Sequence, residues 1–254
     1  MNRLDNLINY LLSERNDLGS ITIPVSEQDK FRLYRSLVNI RPACEADESF
    51  LKAEDEYLAE LTASKGIINI ADLSPIEDGI YLWQGDITTL KCGAIVNAAN
   101  SGMTGCWQPC HSCIDNCIHT FAGVRLRYEC DRIMQKQGHE EPTGKAKITQ
   151  AYNLPCDYVI HTVGPIVQGQ LTDEHCRLLE SSYLSCLELA VQNGIDSIAF
   201  CCISTGVFGF PQREAAEIAV RTVRDFRKTH AIKVIFNVFK EDDYEIYKEL
   251  LGRN

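Results

Sequence analysis

Apolar residues recur at helical spacing through LDNLINYLLSER (4–15), SEQDKFRLYRSLVNIR (26–41) and ESFLKAEDEYLAELTASKG (48–66). The pattern predicts three amphipathic helices. Ser26 suits the N-cap of the second, which ends before Pro42, and Gly66 closes the third. Residues 1–66 therefore read as a helical extension packed on the remainder. From about Ile67 the texture changes. Short β-rich runs at 80–84, 94–97, 148–152, 158–163, 197–203 and 233–238 alternate with amphipathic stretches at 114–135, 173–193, 211–229 and 242–250. Strands alternating with helices predict an α/β fold, a mostly parallel mixed sheet with helices on both faces, over 67–254. Ligands of such sheets sit at the carboxyl ends of the strands. QGDIT, VNAANS and ISTGVFGFP all fall at predicted strand ends, which argues for a binding cleft.

Composition narrows the partners. The chain has 254 residues and is 45% hydrophobic, enough for one substantial core plus an accessory segment. Its formal net charge of −10 disfavours nonspecific nucleic-acid binding and anionic membrane surfaces. Asp5, Asn6 and Asn9 interrupt the first apolar stretch, no signal cleavage site follows, and no apolar run is long enough for a bilayer. A cytoplasmic location is the expectation. Twelve cysteines then read as thiols rather than disulfides. Cys44, Cys92, Cys130, Cys156, Cys176, Cys186, Cys201 and Cys202 are scattered, each read as a small buried hydrophobe.

The motifs carry candidate chemistry. Ser204, Thr205, Gly206, Val207, Phe208 and Gly209 link an apolar strand to a helix starting at Pro211. Two glycines and a helix start make a phosphate cradle, and the absence of a Walker lysine argues against ATP hydrolysis. Asp86 can accept from an exocyclic amine or a ribose hydroxyl, or simply cap a turn. Asn97 and Asn100 suit sugar hydroxyls, with turn chemistry as the plainer role. They feed into GCWQPCHSCIDNC, where four cysteines crowd into one loop. Cys106, His111 and Cys113 could hold a zinc ion with one open position. Cys106, Cys110 and Cys113 could hold an iron–sulfur cluster, Cys110 or Cys117 could complete a four-ligand structural zinc, or the thiols could be unligated. Asp115 and His119 share a helix face. Asp115 could act as a base, bind a ribose hydroxyl or stabilise a helix start, whereas His119 reads as a satisfied, partly buried histidine. His161 reads as strand packing. Asn237 and Phe239 end the last strand, where Phe239 could stack on a purine or join the core.

Together GDIT (85–88), IVNAANS (95–101), CIDNCIHTFAG (113–123), VIHTVGP (159–165) and STGVFGFP (204–211) resemble the macrodomain family of ADP-ribose-binding modules. The cysteine loop and helical leader resemble its zinc-containing subclass of protein-ADP-ribose hydrolases. The resemblance implies one Zn²⁺ per chain on Cys106, His111 and Cys113, with Cys110 and Cys117 as bystanders. It puts Asp86 on the adenine amino group with the Ile87 amide nearby. The loop from Ser204 to Gly209 would wrap the diphosphate and distal ribose. Asn97 and Asn100 would border that ribose, and Phe239 or Asn237 would flank the adenine. The expected reaction is hydrolysis at the anomeric carbon of the distal ribose of a mono-ADP-ribosylated protein, with Asn100 and Asp115 catalytic and free ADP-ribose released. Zinc would supply hydroxide or orient a ribose oxygen. Subclass members often accompany a sirtuin-type transferase and a lipoyl-carrier protein, so a modified lipoyl carrier is an implied substrate. A non-catalytic reader module, a radical iron–sulfur enzyme and deacylation of O-acetyl-ADP-ribose are the competing readings.

Overall fold

The computed structural model describes residues 2–15 and 21–252; the rest of the expected leader (1 and 16–20) and of the expected main domain (253–254) lies outside the described residues. Three leader helices, α1 (Arg3–Ser13), α2 (Glu27–Ile40) and α3 (Glu48–Lys65), match the hydrophobic periodicity. The Ser26 hydroxyl accepts from the Asp29 amide and caps α2 as its position suggests. Leu4, Leu7, Ile8, Leu11, Tyr34, Leu37, Phe50 and Leu58 form a leader core. Val124 of the following fold joins it, so the leader is built onto the body.

Beyond it come β1 (Ile68–Asn69), β2 (Ile80–Gln84), β3 (Leu90–Lys91), β4 (Ala94–Ala98), α4 (Ile114–Ala122) and α5 (Val124–Gln137). Next follow β5 (Ala146–Gln150), β6 (Tyr158–Thr162), α6 (Asp173–Gln192), β7 (Ser197–Phe200), α7 (Gln212–Arg227), β8 (Lys233–Val238) and α8 (Glu241–Leu251). The main sheet has six strands in the order β2-β8-β7-β4-β6-β5. Every pairing is parallel except β5 with β6. Ile95, Val96, Ile198, Ala199, Val234 and Ile235 are fully buried. Central strands without polar alternation are what a sheet covered on both faces requires. Helices α6, α7 and α8 pack side by side, while α4 and α5 cover the sheet from the other side and carry α2 and α3. The fold is the expected three-layer α/β arrangement. It is an open sheet, not a closed barrel of repeated β/α units, which removes the radical-enzyme reading.

The single helix expected over 114–135 is two. Gly123 breaks it, with φ 90° and ψ 174°. Only glycine rests there comfortably, and a Cβ would lie 2.7 Å from Glu54 Oε2. The short β1–β3 pair was not legible in the pattern. Cys44 is exposed rather than buried, and Cys176 and Cys202 are only half-buried, whereas Cys92, Cys130, Cys156, Cys186 and Cys201 are buried as read. Among the described residues no helix is long and apolar enough to cross a membrane.

Candidate active site

A cleft of about 610 Å³ opens at the carboxyl ends of β2, β4, β7 and β8, within the size range of small-molecule sites. Asp86 and Ile87 line it after β2, the loop from Ser204 to Phe208 after β7, and Asn237 and Phe239 at the end of β8. His111 and Cys113 line it from the cysteine loop. Three separate motifs and two candidate metal donors thus meet at one cavity. Gly209, Asn97, Asn100, Asp115 and Cys106 lie off its wall.

The phosphate-type loop is preshaped. Ser204 adopts φ 66°, an uncommon left-handed conformation for a residue with a Cβ. The Phe210 amide donates to the Ser204 carbonyl (3.0 Å) and closes the loop. The amides of Gly206, Val207 and Phe208 make none of its backbone hydrogen bonds. Ser204 Oγ is buried without a partner among the described residues. Val207 is 80% exposed at the tip. Phe239 is 77% exposed, so it is available for stacking and does not pack in the core.

Asp86 caps a 3₁₀ turn (Ile87–Thr89). Its Oδ1 accepts from the Thr88 amide (3.0 Å) and hydroxyl (2.6 Å). Its Oδ2 accepts from Lys65 Nζ (3.0 Å). Burial pushes this carboxyl up, but the bonds from Thr88 and Lys65 outweigh it and the net shift is downward.

In the cysteine loop Cys106 Sγ and His111 Nδ1 lie 3.6 Å apart. With Cys113 they form a group whose donor atoms all fall within 4.8 Å of one another. Cys113 is also the N-cap of α4, where its Sγ accepts from the Asn116 amide (3.4 Å). A helix start favours a thiolate there. Burial, with Cys106 beside it, pushes the Cys113 thiol up. Cys110 turns away, its thiol donating to the Arg32 carbonyl at 3.3 Å. Cys117 faces Arg35 (3.5 Å). Neither joins the donor group, so the four-ligand and C-x3-C-x2-C arrangements are not formed.

The leader holds this loop. Arg35 Nη2 donates to the His111 carbonyl (2.7 Å) and to Asn116 Oδ1 (2.8 Å). The Cys110 amide donates to Asn39 Oδ1 (2.9 Å). Arg127 donates to the carbonyls of Val38, Asn39, Arg41 and Cys106 and stacks under Trp107.

Behind the loop, Asp115 is 5% exposed. Its Oδ1 accepts from Asn97 Nδ2 (2.8 Å) and its Oδ2 from Asn100 Nδ2 (3.2 Å). Asn100 Nδ2 also donates to the Gly105 carbonyl (3.1 Å), one residue before Cys106, while its Oδ1 accepts from the Gly102 amide (3.0 Å). Burial pushes the Asp115 carboxyl up to about 6 against the pull of Asn97, Arg127 and Asn100. His119 is buried, but neither ring nitrogen has a hydrogen-bond partner among the described residues, contrary to the satisfied histidine expected. His161 is wholly buried, as read. It forms a second donor group with His119 and Cys130. Asn97 Nδ2 approaches His161 Nδ1 (3.1 Å), which leaves the proton on Nε2, beside Thr149 Oγ1 (2.9 Å).

Sequence reasoning missed Arg35 and Lys65 of the leader, and Lys240 and Asp243 of the body, all on the cleft wall. The leader pair sits in helices whose charged residues look like an ordinary solvated face. The one local hint is Lys65 placed at a helix end before Gly66.

Residues 96–219 match the Macro domain family. The chain is 59% identical to a protein-ADP-ribose hydrolase of Treponema medium over 97% of either protein. It is 50% identical to a protein-ADP-ribose hydrolase of Staphylococcus aureus, over 99% of this chain and 96% of that one. Its fold is similar to that of a Trypanosoma brucei macrodomain solved in complex with ADP-ribose, with TM-score 0.67 and 32% identity over 86% of this chain and 95% of that one.

Proposed function

The chain belongs to the macrodomain family and is a protein-ADP-ribose hydrolase, and we propose that it releases mono-ADP-ribose by cleaving the bond at the anomeric carbon of the distal ribose, with zinc held by Cys106, His111 and Cys113. One observation carries this reading: Asp86, the loop from Ser204 to Phe208 and the donors His111 and Cys113 share a single cleft. In the proposed pose adenine lies at Asp86 and Phe239, the diphosphate on the loop amides, and the distal ribose at the metal donors. Oriented amides suit a diphosphate on a chain of net charge −10, because they need no basic patch.

The donor set fits zinc. Two thiols and one imidazole supply three soft ligands, and a catalytic zinc keeps a further position for oxygen. When bound, the ion supplies Lewis-acid chemistry, either activating water or polarising a ribose oxygen. The chain does the rest. Arg35, Asn39 and Arg127 fix the loop, and Asn100 ties its Gly105 end to Asp115. Departure of the side chain builds positive charge on the anomeric carbon, and the Asp115 carboxylate offsets it. We assign Asp115 to holding Asn100, whose Oδ1 accepts only from the Gly102 amide among the described residues and keeps a further acceptor direction for aligning the water. The water oxygen joins the anomeric carbon, the bond to the modified side chain breaks, and the proton ends on the released side chain.

A lipoyl-carrier protein modified by a sirtuin-type transferase is the substrate to test first. Mono-ADP-ribosylated protein is incubated with metal-replete or chelated enzyme, and free ADP-ribose is followed. Cys106→Ala and His111→Ala should lose zinc and turnover together. Full activity in variants shown to be metal-free would overturn the zinc reading.

A further inference from the structure

Lys65 is the last residue of α3, yet its ammonium reaches into the cleft. It lies 3.0 Å from Asp86 Oδ2 and 3.3 Å from the centre of the Phe121 ring. Phe121, from α4, also lines the cleft. The ammonium is thus held between an aromatic face and a carboxylate, which fixes a normally flexible chain. Gly66, with φ 86°, turns the backbone away immediately afterwards.

The hydrogen-bond capacity of Asp86 is nearly filled. A carboxylate oxygen offers about two acceptor directions. Thr88 occupies both on Oδ1 through its amide and hydroxyl. Lys65 occupies one on Oδ2. One direction remains, on Oδ2. We propose that Lys65 is a positioning residue for base recognition: it orients Asp86 so that the remaining lone pair faces the cleft and accepts one N–H of an aminopurine. This rests on the reading above that Asp86 takes the base. The leader then shapes both ends of the site, Arg35 at the metal loop and Lys65 at the base.

Titration calorimetry with ADP-ribose on the metal-loaded full chain tests it, using wild type, D86N, K65M, K65R and the K65M/D86N double variant. Melting temperature and zinc content check that each variant is folded. D86N presents a donor where the base needs an acceptor and should weaken binding. K65M should weaken binding about fivefold, the size of a typical coupling between contacting residues, and K65R should recover most of it. In the D86N background K65M should add little, because Lys65 acts through Asp86. In turnover assays the K65M defect should fall mainly on KM. Wild-type affinity in D86N would remove the base-recognition reading and the proposal with it. A weakened D86N beside an unchanged or tighter K65M would overturn the proposal alone. Additive losses in the double variant would mean that Lys65 touches the ligand directly, which also overturns it.

Discussion

Phe239 and Asp115 mark the extremes of what single residues do around this cleft. Phe239 is mostly exposed, so its ring contributes little to folding. If it stacks on the base, Phe239→Ala should cost about 1–3 kcal/mol of ADP-ribose affinity, the usual worth of base–aromatic stacking. Melting temperature should stay within error. Unchanged affinity by calorimetry would instead leave the ring as surface. Asp115 is the opposite, buried and bonded to two asparagines that were legible in the sequence only as a pair near a strand end. Their convergence on one carboxylate was not legible, because β4 and α4 meet only through the tertiary fold. Asp115→Asn sets amide against amide at Asn97 and Asn100. It should lower kcat more than it raises KM in the ADP-ribose release assay.

At the scale of elements, the β/α alternation was readable because the central strands are continuously apolar and the outer helices amphipathic. The division of 114–135 was not readable. Apolar periodicity runs through Gly123 without interruption, and the break depends on a remote partner, Glu54 of α3. Gly123→Ala places a Cβ against Glu54 and Asn153 in a backbone conformation reserved for glycine. It should destabilise the fold by about 1–3 kcal/mol in a urea titration. Nor did the pattern reveal that α2 braces the metal loop. Arg35→Met removes the donor to the His111 carbonyl and leaves Asn116 Oδ1, among the described residues, with only a long bond from Thr120 (3.4 Å). Supporting contacts of this kind are worth about 10–100-fold in metal affinity. Chelator competition should therefore show weaker zinc binding in a variant with near-wild-type circular dichroism. Undiminished zinc affinity would reduce α2 to packing.

For the whole molecule, the junction between leader and body should weaken as pH rises. Glu54 is wholly buried. It accepts from Tyr34 of α2 (2.6 Å) and from the Val124 amide at the start of α5 (3.0 Å), so three helices meet at one carboxyl group. Burial raises its pKa from 4.5 to about 7, against the pull of Tyr34 and Val124. In the unfolded chain the group ionises near its ordinary value, so between 4.5 and about 7 the folded state binds the extra proton. The stabilisation it gives is complete below pH 4.5 and is lost as pH rises through about 7. The loss amounts to about 3 kcal/mol, at about 1.4 kcal/mol per pKa unit. Glu54→Gln is neutral throughout. Its carbonyl can accept from Val124 while its amide donates to the Tyr34 oxygen. Denaturant unfolding at pH 5 and pH 8 should therefore show the wild type losing stability relative to Glu54→Gln, with the variant ahead at pH 8. All other titrating groups are common to the two chains, so the difference isolates Glu54. Parallel pH profiles would place an ionised carboxylate in this junction at no cost, contrary to its burial.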